Sequence, residues 1–178
     1  MLFWERSRGF SLFELVIAIA VLGALLSAVA PTFQDASKKL KATRAANELY
    51  ALLMQTKAES IVQNTPLWVH FSGLSEHPET EHWSVEVTNR VDINDPDARL
   101  LRQIKGEVFK GIGLSLNHSN HRIKFDNLTG MALSNGTIKL QPYSDEESYI
   151  NIRTHSVSGR VIVCDVGEIQ FGFGACPK

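Results

Sequence analysis

Three patterns of apolar and polar residues follow one another along the chain. From Phe10 to Ala30 almost every residue is apolar. Beyond Pro31 apolar residues recur at three- and four-residue steps, which is the spacing of one face of an α-helix. After Pro66 apolar and polar residues alternate, which is typical of β-strands. This order predicts an α+β fold, with a long helix first and antiparallel sheet after it.

The apolar run is long enough to cross a bilayer. It covers about 21 residues, or roughly 31 Å of helix, against about 30 Å of hydrocarbon. Arg6 and Arg8 precede it, and positive charge before a first membrane helix predicts a cytoplasmic N-terminus and an exported remainder. We therefore expect residues 10–30 to be the transmembrane half of the helix and residues 31–63 its periplasmic half.

The second half of the helix is predicted to pack on a domain through one face. We expect a kink or a local unwinding at Pro31, because proline removes a backbone hydrogen bond and clashes with the preceding turn. Pro66 is expected to close the helix. The predicted packing face consists of Ala42, Ala45, Ala46, Leu49, Leu52, Leu53 and Thr56.

Residues 64–178 are predicted to form a β-rich globular domain. Its short strand-like segments are separated by turns rich in Gly, Asn, Asp and Ser, which favours antiparallel pairing. The predicted strands are Leu67–Phe71, Trp83–Val87, Ile112–Leu116, Arg122–Phe125, Thr137–Leu140, Tyr149–Arg153 and Arg160–Val163.

Composition and motifs argue against several functions. The formal net charge is −1 at pH 7, so bulk attraction to nucleic acid is not expected. The sequence contains no nucleophile elbow, phosphate loop or zinc-protease helix. We therefore expect a protein that is not an enzyme and has no cofactor.

Polar clusters offer candidate metal ligands but match no metal motif. The clusters are His77 with His82, His118 with His121, and the stretch Asp92–Asp97. A calcium loop of EF-hand type needs Gly at its sixth position and Glu at its twelfth, where this chain has Asp97 and Gln103. We interpret these clusters as solvated turns and expect no metal site.

One carboxylate, that of Glu14, interrupts the apolar run near its start. A lone carboxylate in hydrocarbon costs about 3 kcal/mol or more. The segment Gly9–Glu14 resembles the processing site of type IV prepilins and type II secretion pseudopilins, with Ser11 where Thr is usual. The resemblance implies cleavage between Gly9 and Phe10 by prepilin peptidase, N-methylation of Phe10, and loss of residues 1–9 as a leader. The apolar segment would stay in the inner membrane.

The same resemblance gives Glu14 a role in assembly. Cleavage creates an amino group at Phe10, and in a bundle of subunits Glu14 is expected to meet the ammonium group of a neighbour in a dry environment. The alternative is that Glu14 merely reaches the headgroups near the start of the helix. A secretory signal cut at Ser27–Ala30 is a further alternative, but its apolar region would be shorter and would lack the charge.

Segments further along the chain resemble the GspH/FimT family of H-type secretion pseudopilins and FimT- and FimU-like minor pilins. These segments are Phe125–Gly130, Asn135–Ile138 and Ser158–Val161. The resemblance implies a helical spine with two β-sheets. It also implies a minor subunit at the filament tip, which primes or caps a type IV pilus or a type II secretion pseudopilus. Its partners would be other minor and major pilins or pseudopilins.

The glycines of these segments have a structural interpretation. Gly130 and Gly136 are expected to supply turn conformations that other residues resist. Gly159 and Arg160 are expected to form a hairpin turn. A membrane-anchored periplasmic domain unrelated to filaments stays open as a third hypothesis.

DNA binding is the alternative function. Some members of the family serve in DNA uptake through a basic Gly-Arg-x-Arg motif, but here Ile162 replaces the second Arg. Arg160 and Lys178 are the candidate DNA contacts, and the tail between them carries acids rather than bases. Because phosphate binding needs clustered cations, DNA is not favoured as a partner. Phe171 and Phe173 could stack on bases, but they are expected to cover the sheet or to meet a neighbouring subunit.

Both cysteines, Cys164 and Cys176, lie near the C-terminus. In an exported domain the simplest interpretation is a disulfide that closes a short C-terminal loop. Such a loop would stabilise the fold by about 3 kcal/mol in the chain-entropy model. Two separate buried thiols are the alternative.

Overall fold

A computed structural model describes residues 10–74, 82–143, 147–168 and 171–177. The chain divides into two compact units, Met1–Ser37 and Lys38–Lys178. The predicted site residues that lie outside the described residues are Gly9, His77 and Lys178.

Helix α1 is Leu12–Val62. It continues through Pro31 without the local unwinding named above as one alternative. At its C-terminal end Asn64 adopts a left-handed φ of 47°, and the Thr65 N–H donates to the Ser60 carbonyl oxygen at 3.1 Å. A left-handed residue with such a bond is a common way for a helix to end, and the end falls shortly before Pro66, as predicted.

In the second unit, one face of helix α1 lies in the apolar core. Every position of the predicted packing face is 5% exposed or less. These residues are Ala42, Ala45, Ala46, Leu49, Leu52, Leu53 and Thr56. The helical periodicity therefore identified the buried face correctly, because that face is set by the 3.6-residue repeat alone.

The described residues of the domain form two four-stranded antiparallel sheets. The strands are β1 Leu67–Ser72, β2 Ser84–Thr88, β3 Leu100–Lys105, β4 Ile112–Asn117, β5 Arg122–Phe125, β6 Gly136–Pro142, β7 Tyr149–Thr154 and β8 Val161–Val166. The first sheet has the order β3-β2-β1-β5 and the second the order β4-β6-β7-β8. Two short 3₁₀ turns, Gly106–Phe109 and Ser119–His121, adjoin β4 and β5. The predicted α+β class and all the predicted strands are confirmed.

Strand β3 was not predicted. It lies at the edge of its sheet, and its register with β2 shifts between Val87 and Thr88, so that Leu101 has no residue directly opposite. This bulge lets Leu101 and Ile104 both pack against the core, three residues apart. The period of two is thereby broken, which hid the strand in the sequence.

One apolar core joins the two sheets. The rings of Trp83 and Phe109 stack with their centroids 6.0 Å apart. The indole N–H of Trp83, just before β2, donates to the carbonyl oxygen of Ile112 in β4 at 3.0 Å. Because a buried indole needs an acceptor, this bond ties the first sheet to the second.

The segment Phe125–Gly130 forms a turn that packs on the end of helix α1. Its Asp126 side chain accepts a hydrogen bond from the backbone N–H of Thr129 at 2.9 Å, and bonds from Thr129 lower the pKa of Asp126. The Ser60 hydroxyl of helix α1 donates to the Asp126 carbonyl oxygen at 3.2 Å. Gly130 adopts a φ of +64°, and a Cβ there would press on the Ile61 side chain. This segment therefore docks the first sheet on the helix.

The two other glycines behave differently from each other. Gly159 adopts a φ of +62°, as expected for a turn. Gly136 was expected to supply a turn conformation, and that expectation is wrong. It is the first residue of β6, its φ is not positive, and a Cβ there would overlap the imidazole of His118. Glycine is therefore needed at position 136 for close approach of a side chain.

Candidate functional site

The start of helix α1 is the first candidate site. The Ser11 hydroxyl accepts a hydrogen bond from the backbone N–H of Glu14 at 3.2 Å, and the Leu15 N–H donates to the Ser11 carbonyl oxygen at 3.1 Å. Ser11 is therefore the N-cap, and a Glu three residues later is the signature of a capping box. Glu14 lies in the first turn, where the helix dipole favours a carboxylate. Sequence analysis overlooked this signature, although it was readable.

The helix surface around Glu14 is apolar and exposed. The exposed fraction is 79% for Phe10, 81% for Leu12 and still 64% for Leu26. Glu14 is the one charged residue from Phe10 to Leu26. A contiguous apolar surface of this kind marks contact with lipid or with other proteins, and a helix that is apolar on all sides is typically buried among other helices or in a membrane.

In the part of the chain that the structure describes, no helix has the combined length and hydropathy of a membrane span. The transmembrane assignment of residues 10–30 stays a prediction.

The C-terminal tail, residues 171–177, is the second candidate site. Cys164 in β8 and Cys176 in the tail form a disulfide, as the sequence predicted. Asp165 is 7% exposed, and its Oδ2 accepts hydrogen bonds from the backbone N–H groups of Phe171 at 2.9 Å and Phe173 at 3.0 Å. A third N–H, that of Gly172, donates to the same oxygen at 3.2 Å. A covalent bond and one buried carboxylate thus hold the tail against β8.

The aromatic residues of the tail cover the core. Phe171 is 3% exposed and belongs to the core, and its carbonyl oxygen accepts a hydrogen bond from the Thr43 hydroxyl of helix α1 at 2.9 Å. Phe173 is partly buried against the same core. Covering the sheet, one of the roles expected for Phe171, is therefore confirmed, and base stacking is not available to this buried side chain.

A groove of about 580 Å³ beside Arg160 is the third candidate site. It lies between helix α1 and strand β8, the edge of the second sheet. Its lining residues are Asn47, Tyr50, Met54 and Lys57 of the helix, the segment Ser158–Val163, and Phe173. Lys57 Nζ donates to the Gly159 carbonyl oxygen at 3.0 Å, which sets a second cation beside the exposed Arg160. The predicted Gly159–Arg160 turn is present, since the His155 N–H donates to the Arg160 carbonyl oxygen at 3.0 Å.

Among the described residues, no group of three or more His, Cys, Asp or Glu side chains is placed so that it could hold a metal ion. The acidic stretch is a turn, in which Asp92 Oδ1 accepts the N–H of Asn94 at 2.9 Å and Asp95 Oδ1 accepts that of Asp97 at 2.8 Å. These carboxylates stabilise their own backbone, as such residues commonly do in turns.

His118 is buried, so the expectation of a solvated histidine is wrong for this residue. It is 7% exposed, with Nδ1 3.3 Å from the Ser134 hydroxyl and Nε2 3.3 Å from the Thr154 hydroxyl. Burial lowers the pKa of His118 to about 4, because the charged imidazolium loses its hydration. This burial could not be predicted from the sequence around His118, because the space for the imidazole depends on the missing side chain of Gly136 in strand β6.

We expect the free energy of unfolding to decrease as the pH falls below about 6.5, where His118 of the unfolded chain begins to bind a proton. In the folded protein His118 binds a proton only when the pH nears its lowered pKa of about 4. Between about pH 6.5 and pH 4, the free energy of unfolding therefore decreases further as the pH falls. Urea unfolding of the full-length protein in detergent micelles at pH 7 and pH 5 measures the effect. His118→Gln should show a smaller loss than wild type.

A control keeps this prediction specific. Burial also lowers the pKa of His70, so His118→Gln should retain the share of the pH dependence that His70 contributes, and the double variant with His70→Gln should lose that share as well. Equal pH dependence in wild type and His118→Gln would contradict the assignment.

Comparison with known proteins defines the class. The family described as type II transport protein GspH matches residues 45–164, and the prokaryotic N-terminal methylation motif matches residues 4–30. Since the first match covers more than half of the chain, the chain belongs to the GspH family. Pilins and pseudopilins are structural subunits, which confirms that the protein is not an enzyme.

Individual relatives agree with this class. The type IV major alpha-pilin of Moraxella bovis is 30% identical over 101 residues, which are 57% of this chain and 60% of that protein. A fimbrial protein of Pseudomonas aeruginosa is 40% identical over 58 residues, which are 33% of this chain and 36% of that protein. The chain thus spans less than two thirds of the length of either relative.

The fold is that of a solved minor pilin. The crystal structure of the type IV minor pilin FimU from Pseudomonas aeruginosa PAO1 superposes with a TM-score of 0.53 at 14% identity, covering 70% of this chain and 89% of that one. Family and N-terminal motif together support a type IV pilin or pseudopilin subunit.

Proposed function

We propose that the protein is a minor subunit that primes or caps the assembly of a type IV pilus or a type II secretion pseudopilus. The observation that carries the proposal is the start of helix α1, where an exposed apolar surface surrounds a single carboxylate, Glu14, in the first turn. Such a surface needs apolar neighbours, and such a charge needs a partner once it is in an apolar environment.

Processing prepares the subunit. Prepilin peptidase cleaves between Gly9 and Phe10 on the cytoplasmic side and Phe10 is N-methylated, as the matched methylation motif supports. Residues 10–30 remain in the inner membrane. Residues 31–63 and the β-rich domain, residues 64–178, lie in the periplasm, where the disulfide forms.

Assembly then supplies the partner of Glu14. In the free subunit the carboxylate is desolvated at a cost of about 3 kcal/mol or more. When helices bundle into a filament core, the ammonium group of Phe10 in a neighbouring subunit reaches it. Phe10 is 79% exposed, and Glu14 is exposed as well, so both are accessible to a neighbour. Pairing in the filament favours extraction from the membrane.

The substitution of Ser11 for the usual Thr is consistent with this function. Both residues carry a hydroxyl that can accept the N–H of the third helical residue, and Ser11 does so here. The helix therefore begins just before Glu14, and the carboxylate keeps a fixed place near the N-terminus that cleavage would create.

Mass spectrometry of the mature protein tests the proposal. We expect a chain that begins at Phe10 and carries one methyl group on its amino nitrogen, and a Gly9→Val variant that keeps residues 1–9. A mature chain that begins at Met1 would remove the filament proposal, and one that begins after Ala30 would identify the segment as an ordinary secretory signal.

DNA binding for natural transformation is the second candidate function. One observation favours it: the exposed Arg160 lies beside Lys57 at the groove. A gel-shift assay with the full-length protein in detergent micelles decides between the two. Salt-sensitive binding that is lost in Arg160→Ala and Lys178→Ala would favour DNA uptake.

A further inference from the structure

We propose that the open edge of strand β8 is a docking site for an extended segment of a neighbouring filament subunit. The segment would add to the second sheet as a β-strand and direct an acidic side chain at Arg160. This inference rests on the proposed function, because it takes another filament subunit as the partner.

Within the described part of the chain, the backbone of β8 has unpaired groups at this edge. Strand β8 is the last strand of its sheet, and the Asp165 N–H points away from β7, since it donates to the Gly174 carbonyl oxygen at 2.9 Å. Alternate residues of a strand point their N–H and C=O groups to the same side, so Val161 and Val163 also face outward. Neither has a backbone partner on that side among the described residues. Such an edge is a template for another strand.

The C-terminal tail of the same chain pairs with the C-terminal end of this β8 edge. The tail forms a parallel bridge between Ala175 and Asp165, next to the disulfide that holds it. The tail therefore fills the edge from Asp165 onward and leaves the backbone at Val161–Val163 open, which is about 10 Å of strand. A partner strand of a few residues would extend the pairing that the tail begins.

The groove provides room for the side chains of such a strand. Tyr50 and Met54 of helix α1 face the half-buried Val161 and Val163 across it. Its volume of about 580 Å³ lies within the range of about 300–1,000 Å³ that is usual for binding clefts. The middle of the groove therefore suits apolar side chains.

The positive charge at one end of the groove favours a partner segment with a negative charge at that end. Lys57 and Arg160 lie at the Gly159 turn, and none of the described lining residues is acidic. Lys57 is held there by its bond to the Gly159 carbonyl oxygen at 3.0 Å. Arg160 is exposed and has no ion-pair partner in the described part of the chain. An acidic side chain or a terminal carboxylate on the partner would complete this end of the groove.

Two pairs of variants test the proposal in cells that assemble the filament. Val163→Pro removes the outward N–H without removing a bond to β7, and its control Val163→Thr keeps both the N–H and the branched shape. Arg160→Glu reverses the charge at the groove, and its control Lys110→Glu reverses an exposed charge outside it. The readout is the amount of full-length protein in sheared filaments.

We expect Val163→Pro and Arg160→Glu to lower this amount by about tenfold or more, which corresponds to about 1.4 kcal/mol, and both controls to match wild type. Because Val163→Pro could disturb the fold, hydrogen exchange of the wild-type protein provides a second measurement. The amides of Val161 and Val163 should exchange at least about tenfold more slowly in the filament than in the free subunit. Normal incorporation of both groove variants, or equal exchange in the two states, would overturn the proposal.

The outcomes also separate this proposal from the proposed function. If wild type is absent from filaments, the proposed function fails. If wild type is present, Glu14→Ala is absent and both groove variants are present, only strand docking fails. If Arg160→Glu loses DNA in a gel shift while Val163→Pro incorporates normally, the groove contacts nucleic acid and strand docking is overturned.

Discussion

Replacing Glu14 with Ala is expected to reduce the amount of this protein in filaments by roughly 100-fold. The reason is the loss of a charge pair in an apolar environment, which contributes about 3 kcal/mol, and each 1.4 kcal/mol corresponds to about a factor of ten. The measurement is the fraction of the protein recovered in sheared filaments, set against the fraction in membranes. Glu107→Ala, at an exposed glutamate of the β-rich domain, is the matched control and should behave as wild type.

The capping-box sequence signature of Ser11 and Glu14 makes a sharper test available. Gln can replace Glu at the third position of a capping box, so Glu14→Gln preserves the cap while it removes the charge. If the carboxylate pairs with an ammonium group, Glu14→Gln should be lost from filaments as severely as Glu14→Ala. Normal incorporation of Glu14→Gln would show that Glu14 acts through the start of the helix and would contradict the assembly role.

The disulfide variant Cys164→Ser/Cys176→Ser is expected to lower the free energy of unfolding by about 3 kcal/mol, because the unfolded chain regains the freedom of a short closed loop. For a chain of this size that corresponds to a melting temperature lower by about 6–12 °C. The fold should survive, since Asp165 still accepts three backbone N–H groups of the tail. Thermal unfolding of the full-length protein in detergent micelles, followed by circular dichroism, measures the change.

Reduction provides the matched control for this prediction. A thiol reductant should lower the melting temperature of wild type to that of the double variant and leave the double variant unchanged. A loss below about 1 kcal/mol would contradict the chain-entropy account and would assign the stability of the tail to Asp165 and to the burial of Phe171 instead.

Local repetition in the sequence was sufficient for the fold class, for the buried face of the helix and for most of the strands. The buried face of helix α1 follows from apolar residues at three- and four-residue steps, and strands β1, β2 and β4–β8 follow from alternation with a period of two. Both repeats are properties of neighbouring residues, so they can be read without knowing what the element packs against. The N-terminal motif around Glu14 and the cysteine pair were likewise readable, because each depends on a short segment or on two residues of one kind.

The structural features that were not predicted depend on contacts between residues far apart in the chain. Strand β3 was hidden because a bulge against β2 breaks its period. The Gly159–Arg160 turn was predicted, but the groove beside it was not, because its other wall is helix α1, from which Lys57, 102 residues earlier, reaches the Gly159 carbonyl oxygen.

The sequence by itself determined the long helix, most of the strands, the position of the lone carboxylate and the cysteine pair. Only the tertiary structure decided that His118 is buried against Gly136, that Asp165 holds the tail, and that the edge of β8 faces a groove. The physical reason is that periodicity records which side of an element is apolar. The burial of a polar group instead depends on which distant donor, acceptor or empty space the fold brings next to it.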